Sequence, residues 1–314
     1  MKYFIVILSI IIICIAPFFG QVEINLSSIM NPLKMDYQIF WDIRLPGTIL
    51  AFFTGGILSL SGLIFQTIFR NPMSTPFTLG VASGATFFTA IGIVLGFASY
   101  ISLFAFLGAI ITIIILFILS SRFKNNEASS LLLVGIALSF FYSASLMVVF
   151  FISNLQESYE IVRFTMGSLD IVGFANVWIV VVAGILLLTL ILKYKYEFKL
   201  LLTSYQFASL KGINIKKINY TLLLAVSIAV GIIVSIAGPI GFIGLIVPHI
   251  IKIFYTQSAH KLIIPIFFYG GVFLVFCDMI SRNLGTNSNI PIGVVTSFIG
   301  APFFIYLIIK QRRI

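Results

Sequence analysis

The chain has 314 residues, of which 60% are hydrophobic and only 9% are charged, and its formal net charge is +10. Soluble domains carry about 25% charged residues, so this composition excludes a water-soluble fold and indicates a polytopic membrane protein. The basic residues form short clusters between apolar runs, which excludes the continuous basic surface of a nucleic-acid-binding protein.

Ten apolar runs, taken in chain order, predict ten transmembrane helices in one all-α integral membrane domain over residues 1–314. About 20 apolar residues suffice for a helix to cross the hydrocarbon. The predicted spans are 3–19, 46–69, 78–97, 101–120, 131–152, 177–192, 220–237, 245–254, 262–280 and 292–309, of which 78–97 and 245–254 are broken or short. The first run is longer than the apolar core of a usual signal peptide and has no A-x-A-like site, which favours an uncleaved span.

The distribution of basic residues predicts which side of the membrane each connection occupies. Ten spans place both termini on one side, and the connections on the other side then hold only four basic residues, Lys34, Arg44, Arg163 and Arg282. The remaining 15 of the 19 Lys and Arg residues fall on the side of the termini. Because basic residues accumulate in cytoplasmic loops, both termini are predicted to be cytoplasmic, in a multi-pass protein of the cell membrane.

The stretch "GPIGFIGLIVPHIIKIF" (238–254) interrupts an apolar region with five helix-breaking residues, Gly238, Pro239, Gly241, Gly244 and Pro248. Irregular backbone at membrane depth survives only where protein or water satisfies its polar groups. The stretch therefore predicts a break followed by a short helix that is held among other helices. Broken spans often line translocation paths, but a set of packing kinks explains the same pattern, and the sequence leaves both open. Gly80 and Gly84 form a second candidate packing motif, GxxxG.

Several long segments resemble one known family, the FecCD-type permeases of ABC importers. These are "RLPGTILAFFTGGILSLSGLIFQTIFRNPMSTPFTLGVASGATF" (44–87), "MGSL" (166–169), "GPIGFIGLIVPHI" (238–250) and "IPIGVVTSFIGAPFFIYLI" (290–308). The resemblance implies a ten-helix type II importer permease that translocates a ferric-siderophore complex, with vitamin B12 or haem as alternative cargoes. It also implies a second permease copy (homo- or heterodimer), two cytoplasmic ATPase subunits and an extracytoplasmic substrate-binding protein. Membrane lipid would surround the permease.

The resemblance also assigns docking and coupling residues. Arg44 and Arg282 match arginines that face acidic groups of the docked binding protein, although Gly47 stands where relatives carry a second arginine, and Arg282 could instead pair with Asp278. A cytoplasmic coupling segment at about 203–212 would contact the ATPase. Its candidate residues are Ser204, Tyr205, Gln206, Phe207, Leu210 and Gly212. Relatives begin this segment with glycine and acidic residues, so here the contact would depend on apolar groups, unless the segment is only a helix at the lipid surface.

The remaining candidates are polar residues within the spans, which usually face the interior of a membrane protein. The possible pore-lining residues are Gln66, Asn71, Ser83, Thr86 and Ser143. The sequence contains no GxxxxGK[ST] motif, no metal-site spacing of Cys, His and carboxylates, and no nucleophile–base pattern, so no catalytic residue, bound metal or cofactor is predicted for this chain. ATP and Mg would be bound by the partner subunit. A secondary transporter or an intramembrane enzyme would require ionisable or paired catalytic groups near the membrane centre.

Overall fold

The structure is a computed structural model that describes residues 2–121, 127–203, 210–255, 261–284 and 289–311. Within these ranges the regular secondary structure is helical. The thirteen α-helices found there are α1 Lys2–Ile15, α2 Met35–Gln38, α3 Leu45–Ile68, α4 Val81–Val94, α5 Ile101–Ser121, α6 Glu127–Ile152, α7 Leu155–Met166, α8 Ala175–Lys193, α9 Lys195–Thr203, α10 Ile215–Ala237, α11 Ile243–Phe254, α12 Ile263–Leu284 and α13 Ile292–Gln311. A π-helical segment, Ile39–Arg44, leads directly into α3.

The prediction of about ten membrane helices is confirmed. Among the described residues, 6 helical stretches are long and apolar enough to cross a membrane, and they coincide with all or most of α3, α5, α6, α8, α10 and α12. Four shorter apolar helices, Ile5–Phe18, Val81–Val94, Ile243–Phe254 and Ile292–Tyr306, account for the other predicted spans. Each predicted span therefore overlaps one apolar helix.

The span predicted at 78–97 is shorter than expected because a turn occupies its first residues. A 3₁₀ turn, Pro76–Leu79, ends at Gly80, which has a left-handed φ of 78°, and α4 begins after it. Gly80 therefore makes a turn, where a Cβ would lie 3.2 Å from the carbonyl oxygen of Gly135 in α6, and Gly84 packs within α4 against α5. The carbonyl oxygen of Gly84 lies 2.6 Å from the position that a Cβ on Gly108 of α5 would take.

Helix α3 forms the centre of the bundle, because nearly all of its residues are buried. It packs against α8, α10, α11 and α12, while α4, α5 and α6 pack against one another beside it. A helix that is apolar on every face is stable only when other helices or lipid surround it. The position of α3 follows from this composition.

Close backbone contacts hold α3 against two neighbours. A Cβ on Gly62 would lie 1.7 Å from the carbonyl oxygen of Gly244 in α11, and a Cβ on Gly55 would lie 2.2 Å from that of Gly270 in α12. Lipid tails are as apolar as leucine, so membrane helices associate through close packing at small residues. The glycines of α3 supply this packing.

The connection at 153–176 contains a helix, α7, that lies outside the predicted spans. Asn154 caps α7 by accepting a hydrogen bond from the Glu157 backbone N–H at 2.9 Å, and the Glu157 carboxylate accepts one from the Asn154 N–H at 2.9 Å. This reciprocal capping box fixes the beginning of the helix. Of its residues only Ile161 is fully buried, so α7 lies along the surface of the bundle.

Candidate functional site

Two segments that the sequence singled out, 166–169 and 238–250, meet where α7 and α10 end. Gly167 ends α7 with a φ of 70°, and Gly238 ends α10 with a φ of 69°. Both conformations lie in the region that favours glycine. The Ser168 backbone N–H donates to the Ala237 carbonyl at 2.8 Å, which ties the two helix ends together.

The first turn of α13 completes this contact, which we call the glycine junction (Gly167, Gly238 and Gly293). A Cβ on Gly293 would lie 2.3 Å from the carbonyl oxygen of Met166, and a Cβ on Gly238 would lie 2.5 Å from that of Phe164. Three chain segments that are distant in sequence therefore touch backbone to backbone. No residue larger than glycine fits at these contacts without moving a helix.

Between α10 and α11 the chain is irregular, as predicted, and it contains a strained residue. Phe242 precedes α11 with a φ of 68°, a conformation that is rare for a bulky side chain. It packs against α13, since a Cβ on Gly300 would lie 2.6 Å from the Phe242 Cβ. Strain of this kind persists only where surrounding structure holds it, so the break is a defined feature of the fold.

An open groove of about 740 Å³ adjoins the glycine junction, and we call it the junction groove. Its wall is formed by the end of α7, the break and one face of α13. The lining residues are Phe77, Thr165, Met166, Pro239, Gly241, Gly293, Val294, Ser297, Phe298, Ala301 and Pro302. The polar side chains among these are the hydroxyls of Thr165 and Ser297, so the surface is neutral and mainly apolar.

Of the five helix-breaking residues in the 238–254 stretch, three pack against other helices and two line the junction groove. Pro239 and Gly241 line the groove, and a Cβ on Gly241 would meet nothing within 4 Å. Gly238 belongs to the glycine junction, Gly244 packs against α3, and Pro248 is buried within α11. Packing therefore accounts for Gly238, Gly244 and Pro248, while Pro239 and Gly241 remain candidates for a path.

Of the predicted pore-lining residues, Gln66 has the most defined role, as a polar link between α3 and α11. Its Nε2 donates to the Gly244 carbonyl at 3.2 Å, and its Oε1 accepts from the Lys252 ammonium at 3.1 Å. The link lies near the ends of α3 and α11 that are predicted to face the cytoplasm. It stabilises the same helix pair as the Gly62–Gly244 contact.

The other four candidates also lie outside the groove lining. Thr86 is buried and donates to the Ala82 carbonyl at 2.9 Å, and Asn71 accepts from the Met73 N–H at 2.9 Å in the turn after α3. Ser83 is half-buried, and Ser143 is exposed on α6. The α13 residues that line the junction groove were not among the candidates predicted from the sequence. Their signal was present, because Gly293, Ser297 and Ala301 recur every four positions and form a stripe of small residues.

The two arginines proposed for docking lie at the opposite end of α3 and are both largely buried, with 5% of Arg44 and 9% of Arg282 exposed. Arg282 forms an ion pair with Asp278 at 2.5 Å, one helical turn away. Arg44 donates to the Phe18 carbonyl at 3.0 Å and to the Val22 carbonyl. The arginines border one cavity of about 220 Å³ that Asp170 and Asn289 also line.

Gly47 provides room for Arg282. A Cβ on Gly47 would lie 2.6 Å from an Arg282 guanidinium nitrogen, so the guanidinium extends across this glycine. The Arg282 guanidinium thus occupies the space beside position 47.

Only part of the predicted coupling segment can be placed. Ser204, Tyr205, Gln206 and Phe207 lie outside the described residues. Leu210 is 86% exposed, and Gly212 has a φ of 77° in the turn before α10. Asn214 then caps α10 by accepting from the Lys217 backbone N–H at 3.0 Å.

A bundle of apolar helices with a broken span held among them defines an integral membrane protein. The chain belongs to the FecCD transport family, whose model matches residues 7–310. It is therefore a permease of the ABC importer type, in agreement with the resemblance of its motifs.

Individual relatives agree with this assignment. A Helicobacter pylori (strain ATCC 700392 / 26695) protein named for iron chelatin transport is 35% identical over 277 residues, covering 88% of this chain and 84% of the relative. The Yersinia pestis hemin transport system permease protein HmuU is 32% identical and covers 99% of this chain and 95% of the relative. Other relatives are named for import of vitamin B12 and molybdate.

A solved structure supports the same fold. It is described as an inward-facing conformation of a metal-chelate type ABC transporter. The two chains match with a TM-score of 0.88 at 26% identity, over 98% of each.

Proposed function

We propose that this permease moves a ferric-siderophore complex across the cytoplasmic membrane and that the junction groove forms one wall of the path. The observation that carries the proposal is the neutral, mainly apolar lining of a groove of about 740 Å³. A bare metal ion or a small oxyanion would lose its hydration there without gaining charged ligands. A siderophore encloses its iron with its own donor atoms and needs no such ligands from the wall.

Two organic metal complexes, haem and vitamin B12, remain alternative cargoes, since relatives are named for each. A secondary transporter is the alternative of a different class, and it would use an ionisable group near the membrane centre. The buried acid Asp278 is paired with Arg282 at the end of α12, and Lys252 is bonded to Gln66 near the end of α11. These pairings favour structural roles for both residues over ion coupling.

Uptake by the reconstituted importer tests the choice of cargo. The permease would be placed in proteoliposomes with its ATPase and binding protein, and uptake of ⁵⁵Fe-labelled siderophores would be measured in competition with haem, cobalamin and molybdate. The proposal predicts that an unlabelled ferric siderophore is the effective competitor. Uptake that only haem, cobalamin or molybdate suppresses would contradict it.

The assembly proposed around this chain has a second permease copy, two ATPase subunits that bind ATP and Mg, and an extracytoplasmic binding protein. The asymmetry of basic residues supports termini and a coupling segment on the cytoplasmic side. Docking of the binding protein is proposed at Arg44 and Arg282, through the cavity that they border. Because both arginines already have partners within the chain, their structural and docking roles coexist in this proposal.

Leu210 tests the proposed ATPase contact. Its side chain is 86% exposed although it is apolar, as expected for a residue that a partner covers. Leu210→Asp is expected to lower ATP-driven uptake by roughly tenfold, because a carboxylate would be buried at the contact. Leu33→Asp is the matched control, since Leu33 is 96% exposed on the connection predicted to face outward. Equal effects of the two variants would contradict coupling through Leu210.

Gly241 tests the path itself. Gly241→Leu is expected to reduce uptake by roughly tenfold or more, since the new side chain would extend into open space in the groove and obstruct a bulky cargo. The unfolding temperature of the purified protein should remain unchanged, because a Cβ at this position meets no atom within 4 Å. Full uptake by a stable, correctly inserted Gly241→Leu variant would show that the groove is not the path.

A further inference from the structure

A second groove, between α8 and α10, combines an apolar channel with a cationic end. It encloses about 450 Å³, and we call it the lateral groove. The small side chains of Ala183, Ala225 and Ala229 leave its floor open, while Leu186 and Ile228 form its rims. Leu186 is 64% exposed, so the groove opens away from the bundle.

The length of the groove corresponds to one leaflet of a bilayer. Its lining on α8 extends from Ala183 to Lys193. Ten residues of helix span about 15 Å, which is half of the ~30 Å hydrocarbon core. A single acyl chain that enters from one membrane surface would fit along it.

The end of the groove that lies at the membrane surface is positively charged. Lys193, the last residue of α8, lines this end. Lys193 is exposed, and in the part of the chain that the structure describes it forms no ion pair with an acidic side chain. The nearest acid along the chain, Glu197 in α9, is not paired with Lys193 there. The end of the groove is thus suited to an anion.

We propose that the lateral groove binds an anionic phospholipid, with one acyl chain along the alanine floor and the headgroup phosphate on Lys193. The proposal takes the inner leaflet as the source of the lipid and in this respect rests on the proposed orientation of the chain. Basic side chains at the cytoplasmic ends of transmembrane helices attract anionic headgroups. The apolar channel distinguishes a lipid from free phosphate, because only the lipid fills both parts of the site.

Native mass spectrometry of the purified importer complex tests the proposal without requiring transport. The complex would be loaded with phosphatidylglycerol or with phosphatidylcholine of the same acyl chains, and the retained lipid counted. The wild type is expected to retain phosphatidylglycerol in roughly fivefold preference over phosphatidylcholine, because this is the selectivity that one lysine provides at an anionic headgroup. Lys193→Gln should abolish the preference, and Ala225→Phe should reduce retention of both lipids by filling the groove.

Lys199→Gln is the matched control, because Lys199 is an exposed lysine on α9 that does not line the groove. It should retain both lipids like the wild type. Equal retention of the two lipids by the wild type, unchanged preference in Lys193→Gln, or displacement of the lipid by inorganic phosphate would each overturn the proposal. No retained lipid in the assembled complex, where the isolated permease retains it, would show that a protein covers the groove instead. Since none of these measurements depends on the cargo, a wrong cargo assignment would leave their outcome unchanged.

Discussion

Replacement of Gly62 by alanine is expected to destabilise the protein by about 3 kcal/mol or more, at the upper end of the range for overpacked cores. The new Cβ would lie 1.7 Å from the carbonyl oxygen of Gly244, so α3 and α11 would have to separate. This separation would also strain the hydrogen bond from the Gln66 side chain to the same carbonyl. Thermal unfolding of the purified protein in detergent measures the effect.

Gly241→Ala is the matched control for this prediction. Gly241 lies three residues before Gly244 in the same broken stretch, yet a Cβ there meets nothing within 4 Å. The control should therefore unfold at the wild-type temperature. If Gly62→Ala were as stable as Gly241→Ala, the close contact between α3 and α11 would be incorrect.

Removal of the Asp278 carboxylate is expected to have a comparable effect. Asp278→Leu would leave the Arg282 guanidinium buried without its ion-pair partner at 2.5 Å, and uncompensated buried charges cost about 3–5 kcal/mol. The variant should therefore unfold at a lower temperature than the wild type. The same detergent unfolding measurement tests this.

The double variant Asp278→Leu, Arg282→Met separates the ion pair from the docking role. Removing both charges should restore most of the stability, since an apolar pair of similar volume is often as stable as a buried ion pair. If Arg282 also contacts the binding protein, the restored variant should still bind that protein more weakly. A double variant as unstable as Asp278→Leu would contradict the explanation by unpaired charge.

The positions of the membrane spans were predictable from the sequence because each span carries its own signal. The length of an apolar run determines whether it can cross the hydrocarbon, and this does not depend on the rest of the fold. Helix α7 also had a readable local signal, the Asn154–Glu157 capping box, but its polar composition placed it outside any span count. The shortening of α4 followed from the left-handed turn at Gly80.

The roles of individual residues in the broken stretch were not predictable, because they depend on distant neighbours. Gly241 and Gly244 look equivalent in the sequence, yet Gly244 meets Gly62 on α3 while Gly241 faces open space. Gln66 was predicted as a possible pore-lining residue because it is polar. Its partners, a carbonyl and a lysine in α11, lie more than 170 residues away along the chain and could not be read from the sequence. Such pairings arise only when the helices pack.

We propose that this chain is a conduit whose transport is driven by ATP hydrolysis on a separate subunit. The most direct measurement is uptake of a ⁵⁵Fe-labelled siderophore into proteoliposomes that contain the permease and binding protein, with and without the ATPase and with ATP or a non-hydrolysable analogue. We predict accumulation only when both the ATPase and hydrolysable ATP are present. Accumulation by the permease without the ATPase, driven by a proton or sodium gradient, would contradict the account.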